Sequence, residues 1–200
     1  MIAQSTRSSL AASALIIGLA FSPLAGAEKS TYQLDPDHTS VGFLVHHIGY
    51  AKVLGLFREV RGSYQFDEQS SELSALEIVI ETDSVYTNHK KRDKHLRGAD
   101  FLNSREFPNM TFSASTAKKT GDRTFVIAGQ LDLLGITRPL TLTATWNKSA
   151  TYPFDGNPYV MGVSARGTFF RSEHGMTYAV ENGWVGDDVE LIIEFEARRQ

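Results

Sequence analysis

The chain contains no cysteine. Neither a disulfide nor a thiolate metal centre can hold it together, so a core must do that alone. It also lacks an excess of basic charge. Lys and Arg number 20 against 23 Asp and Glu, for a net charge of −3 at pH 7. Nucleic-acid partners leave a basic footprint, and none is present. Long apolar runs are missing too. Leu10 to Phe21 is too short to span a bilayer comfortably, and no later segment approaches transmembrane length. There is no G-x-S-x-G elbow, phosphate-cradling P-loop or dinucleotide glycine pattern. No internal repeat, linker or low-complexity stretch follows residue 28.

The N-terminus reads as an export signal. Arg7 supplies the positive charge, Leu10 to Phe21 the apolar stretch, and Ala25-Gly26-Ala27 a small-residue cleavage site. Residues 1–27 are therefore expected to be removed, and with no Cys after the apolar stretch, lipid attachment at a thiol is excluded. Residues 28–200 remain as one domain, long enough for a single core.

Most of that domain alternates with period two, the signature of half-buried strands. Val41, Phe43, Val45 and His47 share a face. Gly55 and Phe57, Tyr64 and Phe66, and Leu76, Ile78 and Ile80 do likewise. Phe125, Ile127, Gly129, Leu131 and Leu133 lie opposite Gln130 and Asp132. A turn is expected over Gly135 to Pro139, after which Leu140, Leu142, Ala144 and Trp146 return. Met161 to Phe169 and Val189 to Ala197 complete about eight or nine antiparallel strands. That number at short spacing means a sandwich or a barrel, and composition does not separate the two. Aromatic residues recur on nearly every strand. A filled core and a ligand-holding lumen use the same residue types, so hollow and packed interiors both stay open.

One segment breaks the pattern. Asn88 to Leu102 is charged and helix-forming, with Asn88 as N-cap, Asp93 paired with Arg97 at i,i+4, and Gly98 ending the turn. Pro108 marks the return to extended chain. A polar insertion of this kind in an all-β chain sits at a barrel mouth or lid.

The six histidines invite a metal, but their spacing argues against one. His46 and His47 are adjacent and point to opposite faces of a strand. His89 and His95 stand roughly 240° apart on a helix. No HxH, HExxH or thiolate pair exists. His47 is distinctive: by parity with Phe43 and Val45 it faces the interior, where a polar side chain needs a partner or a ligand. Arg92 and Arg97 offer guanidinium donors to an anionic or carbonyl head group, although a charge run on a short helix is ordinarily a solvated face. Asp93, Asp100, Asp187 and Asp188 read as surface acids, and nothing calls for a catalytic triad.

Four blocks resemble the YceI family, the periplasmic polyisoprenoid-binding proteins. They are FLVHHIGY (Phe43 to Tyr50); Gly55-Leu56-Phe57 with Gly62 and Phe66-Asp67; SVYTNHKKRDKHLRGADFLNSREFPNMTF (Ser84 to Phe112), the longest; and GQLDLLGITRPLTL (Gly129 to Leu142). The likeness spans about Tyr32 to Ala197. One departure stands out. In Arg171-Ser172-Glu173-His174-Gly175, Glu173 and His174 replace the Asp and the aromatic that the family commonly has.

The resemblance implies an all-β, antiparallel, lipocalin-like barrel of about eight strands with a short helical insertion near residues 88–102. It implies a periplasmic binding or carrier protein for a polyisoprenoid or quinone-like lipid, with no cofactor and no metal. Phe43, Val45, Phe57, Phe66, Ile78, Ile80, Phe112, Leu131, Leu133, Trp146, Phe169 and Phe195 are the expected lumen residues for the tail. His47, Arg92 and Arg97 are expected at the head group. Two alternatives compete: an enzyme acting on a prenyl lipid through His47 and an acid of the lid, and a filled-barrel stress or scaffold protein. Homodimerisation is left open, as no surface pattern supports it.

Overall fold

The computed structural model describes residues 29–200, so the leader expected at 1–27 lies outside the described residues. The strands are β1 (Ser30–His47), β2 (Ala51–Phe57), β3 (Val60–Asp67), β4 (Glu72–Glu81), β5 (Val85–Tyr86), β6 (Asn109–Ala114), β7 (Lys118–Lys119), β8 (Thr124–Leu133), β9 (Ile136–Thr151), β10 (Tyr159–Phe170) and β11 (Asp188–Arg199), with one helix, α1 (Lys90–Leu96). All pairings are antiparallel, and β11 pairs back onto β1 to close an eight-stranded barrel. Closure removes the free edges that an open sheet would expose.

Two staves are bent rather than straight. The second half of β1 pairs with β2 and its first half with β3, so β2 and β3 form one return strand interrupted at Arg58 and Glu59. In the same way β5 prolongs β4 beyond a 3₁₀ turn at Thr82–Ser84 and pairs with the end of β2. β1 itself shifts register against β11 between Leu34 and Thr39. Asp35 holds that kink, accepting from the Asp37 N–H at 3.1 Å and from Arg198 Nη2 at 2.8 Å. Such bulges let a strand curve around a barrel.

The β8–β9 turn is tighter than expected. The chain reverses at Leu134 and Gly135, both left-handed (φ 56° and 71°), the two-residue turn whose twist suits a hairpin. Thr137 to Pro139 therefore belong to β9. Pro139 is tolerated there because β9 meets β10 only from Leu142 onward, leaving the missing N–H unneeded.

The helix departs from expectation in three ways. It spans Lys90–Leu96 only, and 97–106 is a series of turns. Its cap is His89, whose Nδ1 accepts from the Arg92 N–H at 3.2 Å, while Asn88 is left-handed (φ 59°). The Asp93–Arg97 pair does not form. Asp93 is buried and accepts from the Thr87 N–H (2.8 Å) and hydroxyl. Arg97 turns instead to the Asp83 carboxylate (3.2 Å) and the carbonyls of Asp83 and Val85. An i,i+4 pair contributes only about 0.2–0.5 kcal/mol, less than a buried carboxylate gains from two donors.

Candidate functional site

The lumen is hollow, and the reason lies in inward-facing glycines. Gly55 sits on the inner face of β2 directly opposite Phe43, whose ring lies across it. A Cβ on Gly55 would stand 2.1 Å from Phe43 Cζ. Gly129 on β8 receives Phe112 in the same manner, with 2.4 Å from a Cβ to Phe112 Cζ. Each ring is laid along the wall by the missing side chain beside it, a covering of glycine by aromatic rings found in curved sheets. Rings that would otherwise fill the middle are held at the periphery.

The result is a cavity of about 460 Å³ inside the barrel, within the range typical of small-molecule sites. Its wall is almost wholly aliphatic and aromatic. Each residue expected at the tail lines it: Phe43, Val45, Phe57, Phe66, Ile78, Ile80, Phe112, Leu131, Leu133, Trp146, Phe169 and Phe195. No Asp or Glu does.

The end away from α1 is closed. Tyr32, fully buried, donates to Glu68 Oε1 at 2.6 Å, and Glu68 Oε2 accepts from Ser149 Oγ (2.7 Å) and the Tyr159 hydroxyl (3.1 Å). This network ties β1, β9 and β10 to the loop after β3. Tyr64 stacks on Tyr32 and forms the inner surface of the floor.

The other end opens beneath α1 and the β10–β11 connection. Arg171 organises that connection. Only 2 % exposed, it donates from Nε to Gly186 O (2.7 Å), from Nη1 to Met176 O (2.8 Å), and from Nη2 to Tyr178 O (2.9 Å) and Val185 O (3.0 Å). Burial pulls its pKa down, Asp187 pushes back, and a guanidinium keeps its charge at neutral pH. The two halves of the mouth meet through rings: Tyr178 packs on His95 (5.1 Å) and Phe101 (5.2 Å).

The expected head-group residues part company at this rim. His47 and Arg92 line the cavity, His47 exposed at the end of β1. Arg92 gives Nε and Nη2 to Thr87 (2.7 and 2.8 Å), leaving Nη1 without a partner among the described residues. Arg97 does not line the cavity, and its donors go to Asp83 and Val85. His46, His95 and Arg171 join the rim. Two acids read as surface groups are otherwise engaged: Asp93 is buried on Thr87, and Asp187 accepts from the Ser172 N–H and hydroxyl. Among the described residues no cluster of His, Asp and Glu has metal-binding geometry.

Sequence reasoning missed the β10–β11 connection, from which Met176, Tyr178, Ala179, Trp184 and Val185 reach the cavity. Its one readable signal was an aromatic pair, Tyr178 and Trp184, in a segment without strand periodicity.

A YceI-like domain model matches residues 32–197. The chain belongs to the YceI-like family. Protein YceI of Salmonella agona (strain SL483) is 35% identical over 191 residues, which is 92% of this chain and 97% of that protein. Burkholderia cenocepacia BcnA superposes with a TM-score of 0.71 at 15% identity, over 82% of this chain and 98% of that one. A polyisoprenoid binding domain from Saccharophagus degradans gives 0.64 at 12% identity, over 84% and 98%. At those identities the two structures speak for the fold, the closed lipocalin-like barrel.

The departure from the YceI-like pattern at Glu173-His174 now has a physical account. His174 is buried, edge-on to Phe169 at 5.7 Å, with Nδ1 on the Ile136 carbonyl at 2.8 Å. The imidazole ring packs as an aromatic would, and Glu173 faces solvent.

Proposed function

We propose that this protein is an exported, periplasmic carrier that holds a polyisoprenoid or quinone-like long-chain lipid in its barrel, and that it acts by binding rather than by catalysis. The observation that carries this is the cavity of about 460 Å³ with an apolar wall from rim to floor. Burial contributes about 0.8 kcal/mol per methylene, or about 4 kcal/mol per isoprene unit. A few units then exceed association costs of about 4–15 kcal/mol. The Saccharophagus degradans domain, described as polyisoprenoid binding, has the same fold.

Tail contacts fall to the inward residues of the wall. His47 and Arg92 are the proposed head-group contacts. Among the described residues Arg92 Nη1 has no partner and no carboxylate lines the wall, and Arg171 adds a buried positive charge beside the mouth. The rim therefore favours an electron-rich or anionic head group. Arg97 is left out of this set. Of the lid acids, Asp93 is buried on Thr87, and Asp100 is engaged with the rim residue His95 at 2.9 Å without lining the cavity itself.

The test is a titration with a short polyprenol. Phe43→Trp and Leu131→Trp each add volume to the wall and should weaken binding by about tenfold or more, because ring and tail compete for one space. Unchanged affinity in both would remove the lumen as the binding site.

A further inference from the structure

Three buried side-chain polar atoms lack a hydrogen-bond partner among the described residues: Tyr64 Oη, Trp146 Nε1 and Ser104 Oγ. Two of the three, Tyr64 and Trp146, line the same cavity. Tyr64 is only 4% exposed. A buried donor left unmade bears its full desolvation penalty, and native interiors contain few of them. Two on one apolar wall call for an explanation.

Both belong to the closed end, away from α1. Tyr64 and Phe66 share the inner face of β3, and Trp146 stands edge-on to Phe66 with centroids 5.8 Å apart. Phe195 packs edge-on to Tyr64 at 6.2 Å. The surrounding wall is aromatic and aliphatic and offers neither donor an acceptor. The floor carboxylate, Glu68, is engaged by Tyr32, Ser149 and Tyr159.

The donor types define what fits. An indole N–H only donates, and a phenol O–H donates readily, so the matching group must accept. It must also be neutral. Arg92 and Arg171, the cations of the wall, are at the opposite end. Arg123, which rests on the Trp146 ring (5.5 Å), is exposed and gives Nη1 to the Asn147 carbonyl. Glu68 behind the floor would repel an anion. We propose that the closed end is a second polar subsite, where Tyr64 and Trp146 donate to a neutral carbonyl-type oxygen on the buried end of the ligand. This rests on the carrier reading above and narrows its cargo: a chain whose head group meets His47 and Arg92 at the mouth and whose buried end carries a second, neutral oxygen of the ketone or ester kind.

The experiment compares farnesylacetone, an isoprenoid ketone, with the matched isoprenoid hydrocarbon by isothermal titration of the full chain. Tyr64→Phe removes one oxygen and keeps the ring. It should weaken the ketone about five- to tenfold and leave the hydrocarbon within about twofold. Trp146→Phe should act in the same direction, and Ser104→Ala, off the cavity, should change neither probe. The C=O stretch of the bound ketone should lie at lower frequency in the wild type than in Tyr64→Phe. Equal loss for both probes would reduce Tyr64 to a packing residue, and no loss for either would mean water serves its hydroxyl. Either result overturns the subsite while the carrier reading stands. If neither probe binds the wild type, the carrier reading itself falls.

Discussion

Tyr32 and Tyr64 lie ring on ring, centroids 5.2 Å apart and planes within 9° of parallel, yet only Tyr32 has a partner for its hydroxyl. The pair should respond oppositely to loss of that oxygen. Tyr32→Phe breaks a bond to a carboxylate and should cost about 1.5–3 kcal/mol, whereas Tyr64→Phe removes an unsatisfied group and should be neutral or stabilising in the lipid-free protein. Urea unfolding of both variants checks this.

The same pair predicts an alkaline transition. Burial first, then the hydrogen bond and charge of Glu68, push the Tyr32 hydroxyl far above its ordinary value near 10, and burial does the same for Tyr64. A raised folded pKa contributes stability that is complete below the ordinary value and erodes as pH rises beyond it. In a spectrophotometric titration, two of the seven tyrosines should ionise only as the barrel unfolds. Seven ionising together without unfolding would contradict the burial of the floor.

Arg171 is the clamp of the mouth. Arg171→Lys keeps the charge but cannot reach four carbonyls with a point ammonium. It should cost about 2–4 kcal/mol and raise amide exchange across residues 176–186 before it affects the barrel strands. Exchange detected by mass spectrometry separates that local loosening from global destabilisation.

Gly55→Ala tests why the lumen is open. With a Cβ 2.1 Å from Phe43 Cζ, the ring must swing inward, at a cost of about 1–3 kcal/mol and with loss of prenyl binding. The pair Gly55→Ala with Phe43→Leu should recover much of both, and the coupling is measured by a double-mutant cycle.

Asp35 sets the acid limit at the β1 kink. Burial alone would raise its carboxyl, but hydrogen bonds from Arg198, His38 and the Asp37 N–H outweigh it, and the net shift is below the ordinary 3.8. A lowered folded pKa contributes stability above the ordinary value and loses it as pH falls through the folded value. With Arg198 partly exposed, Asp35→Asn should cost about 1–3 kcal/mol at neutral pH. That difference should shrink below pH 3.8, as followed by urea unfolding across acid pH.

Much of the barrel was legible because period-two parity is strict. Val189, Leu191, Ile193 and Phe195 alternate with Glu190, Glu194 and Glu196, and all four line the cavity. Hollowness was not read from the aromatic residues, which serve filled and open interiors alike. The readable sign was glycine on the inner face, at Gly55 and Gly129. The lid was partly legible. Its position was plain from composition, but the pairing of Asp93 and Arg97 was decided by Thr87 and Asp83, tertiary partners that outweigh a weak local pair. The β10–β11 connection offered only the Tyr178 and Trp184 pair, because carbonyls gathered on Arg171, not periodicity, give it shape.

Native mass spectrometry of the protein purified from its source cells, followed by solvent extraction, tests the central claim most directly. One prenyl-chain lipid per barrel, lost on extraction and displaced in Leu131→Trp, is the predicted result. A chain that flies at its bare mass and yields no apolar extract would contradict it.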